Sequence, residues 1–136
     1  MALNELYLRT AFCCMACDGE IADEEVALLN KLALTEQVFG DLDIQMSINN
    51  YIESINKLGK VFLEEYLEDV RNACLDDSSS LQLVKIAIDT IEADNQVEYS
   101  EVSFFKRIRK QLSIKDEVIL EAMPDKEDYL LPDVET

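Results

Sequence analysis

Apolar residues recur at intervals of three and four along most of this chain, which is the spacing of one buried helix face. Three stripes show it clearly: Ile44, Ile48, Ile52 and Ile55; Leu63, Leu67, Val70 and Cys74; Val102, Phe105, Ile108 and Leu112. No segment alternates apolar and polar residues over the length of a strand. Both prolines lie within the last thirteen residues, so the strongest helix breaker is absent before them. The pattern predicts an all-α fold, a compact bundle of about seven helices.

Helix limits follow from capping residues. We predict helices near residues 4–17, 22–34, 42–57, 60–74, 79–92, 99–112 and 114–122, with a short turn over 35–39. Ser79-x-x-Gln82 and Ser113-x-x-Asp116 have the spacing of capping boxes and predict two helix starts. Gly59 is placed to end the third helix. The acidic segment 124–136 is predicted to be a frayed or disordered tail. Its only apolar anchor is Tyr129, Leu130 and Leu131, which either packs back on the body of the protein or is offered to a partner.

Two of these helices differ from the others. Residues 6–17 and 83–91 are apolar on almost every side, and a helix of that kind is buried. We therefore predict a central pair of helices with the amphipathic helices around it.

The two apolar helices lead into similar sequences. Asp18-Gly19-Glu20-Ile21 runs on to Glu25, and 76 residues later Asp94-Asn95-Gln96-Val97 runs on to Glu101. The same offset aligns the apolar positions Leu8, Ala11, Phe12 and Met15 with Val84, Ala87, Ile88 and Ile91. We predict an internal two-fold repeat within a domain of residues 1–123. Its units are residues 5–34 and 81–112, with inserted helices in 42–74.

An alanine-rich buried helix followed by Asp-Gly-x-Ile-x-x-x-Glu, and then by a second copy, resembles the TerB-like domain. That family is named for tellurite-resistance proteins and also occurs at the N-terminus of membrane co-chaperones that carry a J domain. The resemblance spans residues 5–122, and the first copy matches well, whereas Asn95 and Gln96 depart from the pattern. It implies an all-α cytoplasmic domain of a stress or metal-response system, and brings no catalytic residues to carry over.

The repeated turn also matches the second half of an EF-hand calcium loop. In the first copy, the leading ligand positions would be Cys14 and Ala16, which offer no oxygen to a hard cation. The second copy offers Thr90, Glu92, Asp94, Glu98 and Glu101, although residues 83–92 look helical. The candidate ligands for Ca²⁺ or another divalent cation are Asp18, Glu25, Glu92, Asp94, Glu98 and Glu101.

A structural interpretation of the same residues stays open beside the metal site. Asp18 and Asp94 would accept backbone N–H groups in their turns, and Gly19 and Asn95 would adopt a positive φ. Glu25 and Glu101 would stabilise the first turn of the following helix.

The four cysteines are interpreted in the same way. Cys13, Cys14 and Cys17 share one helix. A structural zinc site takes its four ligands from two separated segments, and only Cys74 is available for the second segment. We expect small core residues, since free cysteine is commonly buried.

Charge patterning marks two surfaces. Glu64, Glu65, Glu68 and Asp69 form an acidic stripe, either a solvated face or a docking surface for a basic partner. Lys106, Arg107, Arg109 and Lys110 form a basic cluster that could support self-association.

Composition narrows the classes of function. The chain has 29 acidic and 12 basic residues, a net charge of −17 and no histidine. Affinity for nucleic acid or an anionic membrane is therefore excluded, as are Ser–His and Cys–His catalytic pairs. We see no signal peptide and expect a cytoplasmic protein. The sequence predicts a non-enzymatic interaction module without a certain cofactor, and the alternative is a Ca²⁺-binding regulatory protein.

Overall fold

A computed structural model describes residues 3–19, 21–35, 39–40, 43–93 and 98–130. The described residues form an all-α bundle, and no strand occurs among them. The helices are α1 (Leu3–Met15), α2 (Asp23–Thr35), α3 (Ile44–Leu58), α4 (Lys60–Ala73), α5 (Asp77–Glu92), α6 (Tyr99–Lys110) and α7 (Asp116–Ala122), followed by a 3₁₀ segment (Pro124–Tyr129). The all-α prediction is confirmed, and each helix lies within a few residues of its predicted limits. The predicted turn over 35–39 falls largely outside the described residues.

The centre of the bundle is the pair α1 and α5, as the all-round apolar pattern predicts. Leu8, Phe12, Val84 and Ala87 are completely buried, and Ile88 is almost so. Helix α1 packs against α5 and also contacts α2, α3, α4 and α6. Because one helix contacts most of the others, the amphipathic helices form a single layer around it.

A cluster of aromatic rings packs α1 against the hairpin formed by α3 and α4. The Phe12 ring centroid lies 5.5 Å from that of Tyr51 and 5.8 Å from that of Phe62. The Tyr51 and Phe62 rings are themselves 6.2 Å apart. Tilted and edge-on geometries of this kind are favoured between aromatic rings.

Arg9 extends the same contact surface with charge. Its guanidinium lies 5.4 Å from the Phe62 ring centroid and 5.9 Å from that of Tyr66. Its Nη1 donates to Asp69 Oδ2 at 2.7 Å, and its side chain is only 11% exposed. The hydroxyl of the fully buried Tyr66 bonds with that of Thr10, which also donates to the Leu6 carbonyl. Helices α1 and α4 are thus joined by both polar and apolar contacts.

The capping predictions have mixed outcomes. Gly59 caps α3 at a φ of 59°, and its N–H donates to the Ile55 carbonyl, as predicted. The predicted start at Ser79 is wrong, because Asp76 caps α5 and its carboxylate accepts the Ser79 N–H at 2.8 Å. The predicted cap at Ser113 is also wrong. Residues 112–115 are not helical, and α7 starts after its N-cap Lys115, while the side chain of Ile114 is buried in the core.

The predicted disorder of the C-terminal tail is wrong for residues 124–130. Pro124–Tyr129 forms a 3₁₀ segment, and Tyr129 is buried with its ring 5.5 Å from that of Phe105. Tyr129 and Leu130 therefore lie on the body of the protein. Residues 131–136 lie outside the described part of the chain.

The two-fold repeat stays a prediction. The apolar positions that it aligns are buried in both copies, and Gly19 has the expected positive φ of 92°. Asp94–Val97, the turn of the second copy, lies outside the described residues.

We predict that Phe12→Ala lowers the free energy of unfolding by about 3–5 kcal/mol, the usual cost of removing a buried aromatic ring. Met46→Ala is the control, since Met46 is 61% exposed and its removal should change stability by less than about 0.5 kcal/mol. Urea unfolding followed by circular dichroism measures both. Equal effects of the two substitutions would contradict the central position of the Phe12 cluster.

Candidate functional site

The turn that follows α1 and the start of α6 meet at an acidic pocket. Its volume is about 70 Å³. It is lined by residues from both predicted repeat units, namely Met15, Cys17, Asp18, Glu25, Glu98, Ser100 and Glu101. Four of the six predicted metal ligands, Asp18, Glu25, Glu98 and Glu101, therefore line one pocket.

Glu25 and Glu101 play the same structural role in the two predicted units, because each accepts a backbone hydrogen bond at a helix start. Glu25 Oε1 accepts the N–H of Ala22 at 2.8 Å, and Glu101 Oε1 accepts the N–H of Glu98 at 2.9 Å. Each carboxylate reaches back three residues to the start of its own helix, as the last residue of a capping box does. One oxygen of each side chain thus stabilises a helix start, which agrees with the structural interpretation.

The geometry of the Asp18–Gly19 turn is set by its neighbours. The Gly19 N–H donates to the Ala16 carbonyl at 2.9 Å. A Cβ added at Gly19 would lie 3.1 Å from Lys60 Cγ. The turn therefore needs glycine at this position for two reasons, its positive φ and the close approach of Lys60. Asp18 itself is exposed at the mouth of the pocket.

Cys17 lies across the pocket from Ser100 of α6. Its Sγ lies 4.0 Å from Ser100 Oγ, within reach of a weak hydrogen bond. Burial is the main cause that raises the pKa of the Cys17 thiol to about 11; the hydrogen bond with Ser100 opposes the rise, and the charges of Glu101 and Asp18 contribute to it. The thiol is thus protonated at neutral pH, which makes it a poor nucleophile and a poor metal ligand.

The other cysteines divide between core and surface. Cys13 and Cys14 are buried, and burial raises the pKa of both thiols, as expected for small core residues. Cys74 is exposed and ends α4 with a φ of 49°, so its predicted place in the apolar stripe is wrong.

Glu92 does not join the acidic pocket. Its Oε1 accepts from Lys126 Nζ at 2.8 Å, and its Oε2 accepts from the Tyr129 hydroxyl at 3.0 Å. The structure therefore separates Glu92 from the other candidate ligands, and Asp94 lies outside the described residues. Among the residues the structure describes, no three His, Cys, Asp or Glu side chains are grouped closely enough to hold a metal ion.

A second concavity lies beside Glu92. It is a groove of about 320 Å³ lined by Glu92, Val102, Asp125, Asp128 and Tyr129. Sequence reasoning missed it, because it requires the 3₁₀ segment to fold onto α5 and α6. The one available signal was Tyr129, an apolar residue within an acidic tail.

The acidic stripe on α4 is partly paired within the chain. Glu64 bonds with Arg107, and Asp69 bonds with Arg9, whereas Glu65 and Glu68 are exposed. The basic cluster on α6 is partly paired as well, because Arg109 binds Asp116 at 2.7 Å. The two surfaces that the sequence suggested for partners thus also stabilise the fold.

The chain matches no protein-family model, no curated protein and no solved structure. The resemblance to the TerB-like family therefore stays a prediction. Over the described residues, every helix is too short or too polar to cross a membrane.

We predict that stability falls as the pH rises above about 9. Burial raises the pKa of Cys17 to about 11 and that of Tyr51 to about 12, from 9.0 and 10.0. The folded state then holds protons that the unfolded chain releases, so the stabilisation is complete below pH 9 and is lost as the pH rises.

Urea midpoints at pH 7.5, 9 and 10.5 test this expectation. The decline between pH 9 and pH 10.5 should be shallower in Cys17→Ala than in the wild type, and unchanged in the exposed-site control Cys74→Ala. A midpoint that stays constant to pH 10.5 would show that these groups are not shielded from water.

Proposed function

We propose that this chain is a non-enzymatic interaction module of the cytoplasm, which binds a basic segment of a partner protein through its acidic surface. The resemblance to TerB-like domains suggests a stress or tellurite and metal-response system. The observation that carries the proposal is the distribution of ion pairs over a chain with a net charge of −17.

At least five basic side chains are bound to carboxylates of the same chain. The pairs are Arg9 with Asp69, Lys85 with Asp89, Arg107 with Glu64, Arg109 with Asp116, and Lys126 with Glu92. An acidic partner would have to compete with these internal carboxylates for the cations. A basic partner meets a large excess of carboxylates and is attracted over a distance by the net charge.

The same ion pairs make self-association through the basic cluster less favourable. Arg107 and Arg109 already hold Glu64 and Asp116. A second copy of the chain, itself strongly acidic, would be repelled by the net charge before reaching Lys106 and Lys110. A foreign basic partner is therefore the better match.

The proposal predicts saturable binding of a basic peptide. A fluorescent peptide of repeating Lys-Gly should bind at physiological ionic strength, and the same peptide with Glu in place of Lys should not. Affinity should fall as salt increases, since exposed charges are screened beyond about 8 Å. Fluorescence anisotropy measures both peptides, and sedimentation velocity shows whether the chain remains a monomer. Equal affinity for the two peptides, or none for either, would refute the proposal.

A second candidate function, a divalent-cation-binding regulator, is favoured by one specific observation. The turn of the first predicted unit and the start of α6 in the second meet at a single pocket, where Asp18 and Glu98 lie beside Glu25 and Glu101. Hard cations such as Ca²⁺ prefer oxygen ligands of this kind.

Calorimetric titration of metal-stripped protein with Ca²⁺, and then Mg²⁺, tests this candidate. A regulatory site should bind Ca²⁺ with a Kd of about 10⁻⁷–10⁻⁵ M and lose it in Asp18→Asn/Glu98→Gln, which keeps Glu25 and Glu101 and leaves an amide oxygen at Glu98, the N-cap of α6. The control Glu117→Gln/Glu121→Gln changes the net charge equally at exposed positions on α7. Equal heats from both variants and the wild type would leave these carboxylates a purely structural role.

A further inference from the structure

The groove beside Glu92 combines an apolar surface with carboxylates. Val102 of α6 and the Tyr129 ring supply the apolar part, and Glu92, Asp125 and Asp128 supply the charge. Glu92 comes from α5, and Asp125 and Asp128 come from the 3₁₀ segment, so both elements contribute charge to the groove. A ligand that fits has an apolar stem and a cationic end.

Two contacts of Tyr129, a hydrogen bond and a ring contact, hold the wall of the groove in place. The Tyr129 hydroxyl donates to Glu92 Oε2 at 3.0 Å, and the Tyr129 ring packs edge-on to Phe105 at an interplanar angle of 75°. A groove fixed in this way requires little rearrangement on binding, and preorganisation of this kind favours affinity.

The ammonium group of Lys126 already binds two of these carboxylates. Lys126 Nζ lies 2.8 Å from Glu92 Oε1 and 3.6 Å from Asp125 Oδ2. One lysine bound to two of the three carboxylates that line the groove leaves a local excess of negative charge. Asp125 keeps 76% of its side chain exposed, and Asp128 is exposed as well.

We infer that this groove receives a lysine side chain from the basic segment of the partner protein. The inference rests on the proposed function and names the anchor point within it. The aliphatic stem of the lysine lies along Val102 and Tyr129, and its ammonium group binds Asp125 and Asp128. Long cationic side chains commonly bury their stems in this way while the charged end stays near water.

The test compares two neutralisations of equal charge. Asp125→Asn/Asp128→Asn removes the cation partners at the groove and leaves the Glu92 contacts with Lys126 and Tyr129 in place. Glu65→Gln/Glu68→Gln removes two exposed carboxylates of the α4 stripe and leaves Glu64 bound to Arg107. The probe is the Lys-Gly peptide at physiological ionic strength, and circular dichroism shows that both variants are folded.

We expect the groove variant to bind the peptide about fivefold more weakly than the wild type, the sum of two exposed ion pairs. The α4 variant should change affinity by less than about twofold. In NMR spectra of the wild-type protein, the peptide should shift the backbone amide signals of Val102 and Tyr129. A peptide with acetylated lysines, which keeps the stem without the charge, should not produce these shifts.

Other outcomes would overturn the inference. A loss of affinity confined to the α4 variant would make the α4 stripe the docking surface, and an equal loss in both variants would mean that charge attracts the peptide without an anchor. If spermidine binds the groove more tightly than the peptide, its occupant is a free polyamine. If the wild type binds no peptide at all, the proposed function fails together with the inference.

Discussion

The structure depends on the burial of two helices that are apolar on nearly every side. Helices α1 and α5 satisfy this constraint together, because each covers part of the other and the amphipathic helices cover what remains. Helix interiors carry no unpaired backbone groups, so two buried helices cost little in hydrogen bonding. The ends of these helices must still reach the surface. The residues that follow them, Asp18 after α1 and Glu92 at the end of α5, therefore lie where solvent or a ligand can reach them.

A strong net charge makes the positions of the few cations important. Arg9 joins α1 to α4, Arg107 joins α6 to α4, and Lys126 joins the 3₁₀ segment to α5. Each of these ion pairs connects elements distant in sequence, and each neutralises a carboxylate where two elements meet. Exposed ion pairs contribute little stability individually. Their combined effect here is to limit the repulsion between helices while the outer surface remains acidic.

The two acidic concavities differ in what surrounds their carboxylates. At the pocket between the Asp18 turn and the start of α6, Glu25 and Glu101 are bound to the backbone at the starts of α2 and α6. At the groove, Asp125 and Asp128 lie beside Val102 and the Tyr129 ring. Carboxylates beside polar groups suit a hydrated cation, whereas carboxylates beside apolar surface suit an organic cation. This difference in chemistry separates the two candidate functions.

The sequence by itself determined the elements that depend on local pattern. Helix positions, the buried pair and the cap at Gly59 follow from periodicity and from the properties of glycine, because neighbouring residues fix them. Asp76 could have been found by the same reasoning, since aspartate caps a helix as well as serine does. The burial of Ile114 could not, because it depends on core residues that are distant in sequence.

The tertiary structure alone decided which charged groups meet. Asp18 and Glu98 are 80 residues apart in the chain, and only the packing of α1, α2 and α6 brings them to one pocket. Glu92 was expected to lie with them, but Lys126 and Tyr129 hold it at the groove instead. Helical periodicity indicates which face of a helix is buried, and it carries no information about which surface groups that burial brings together. The candidate sites of this protein are formed by such contacts.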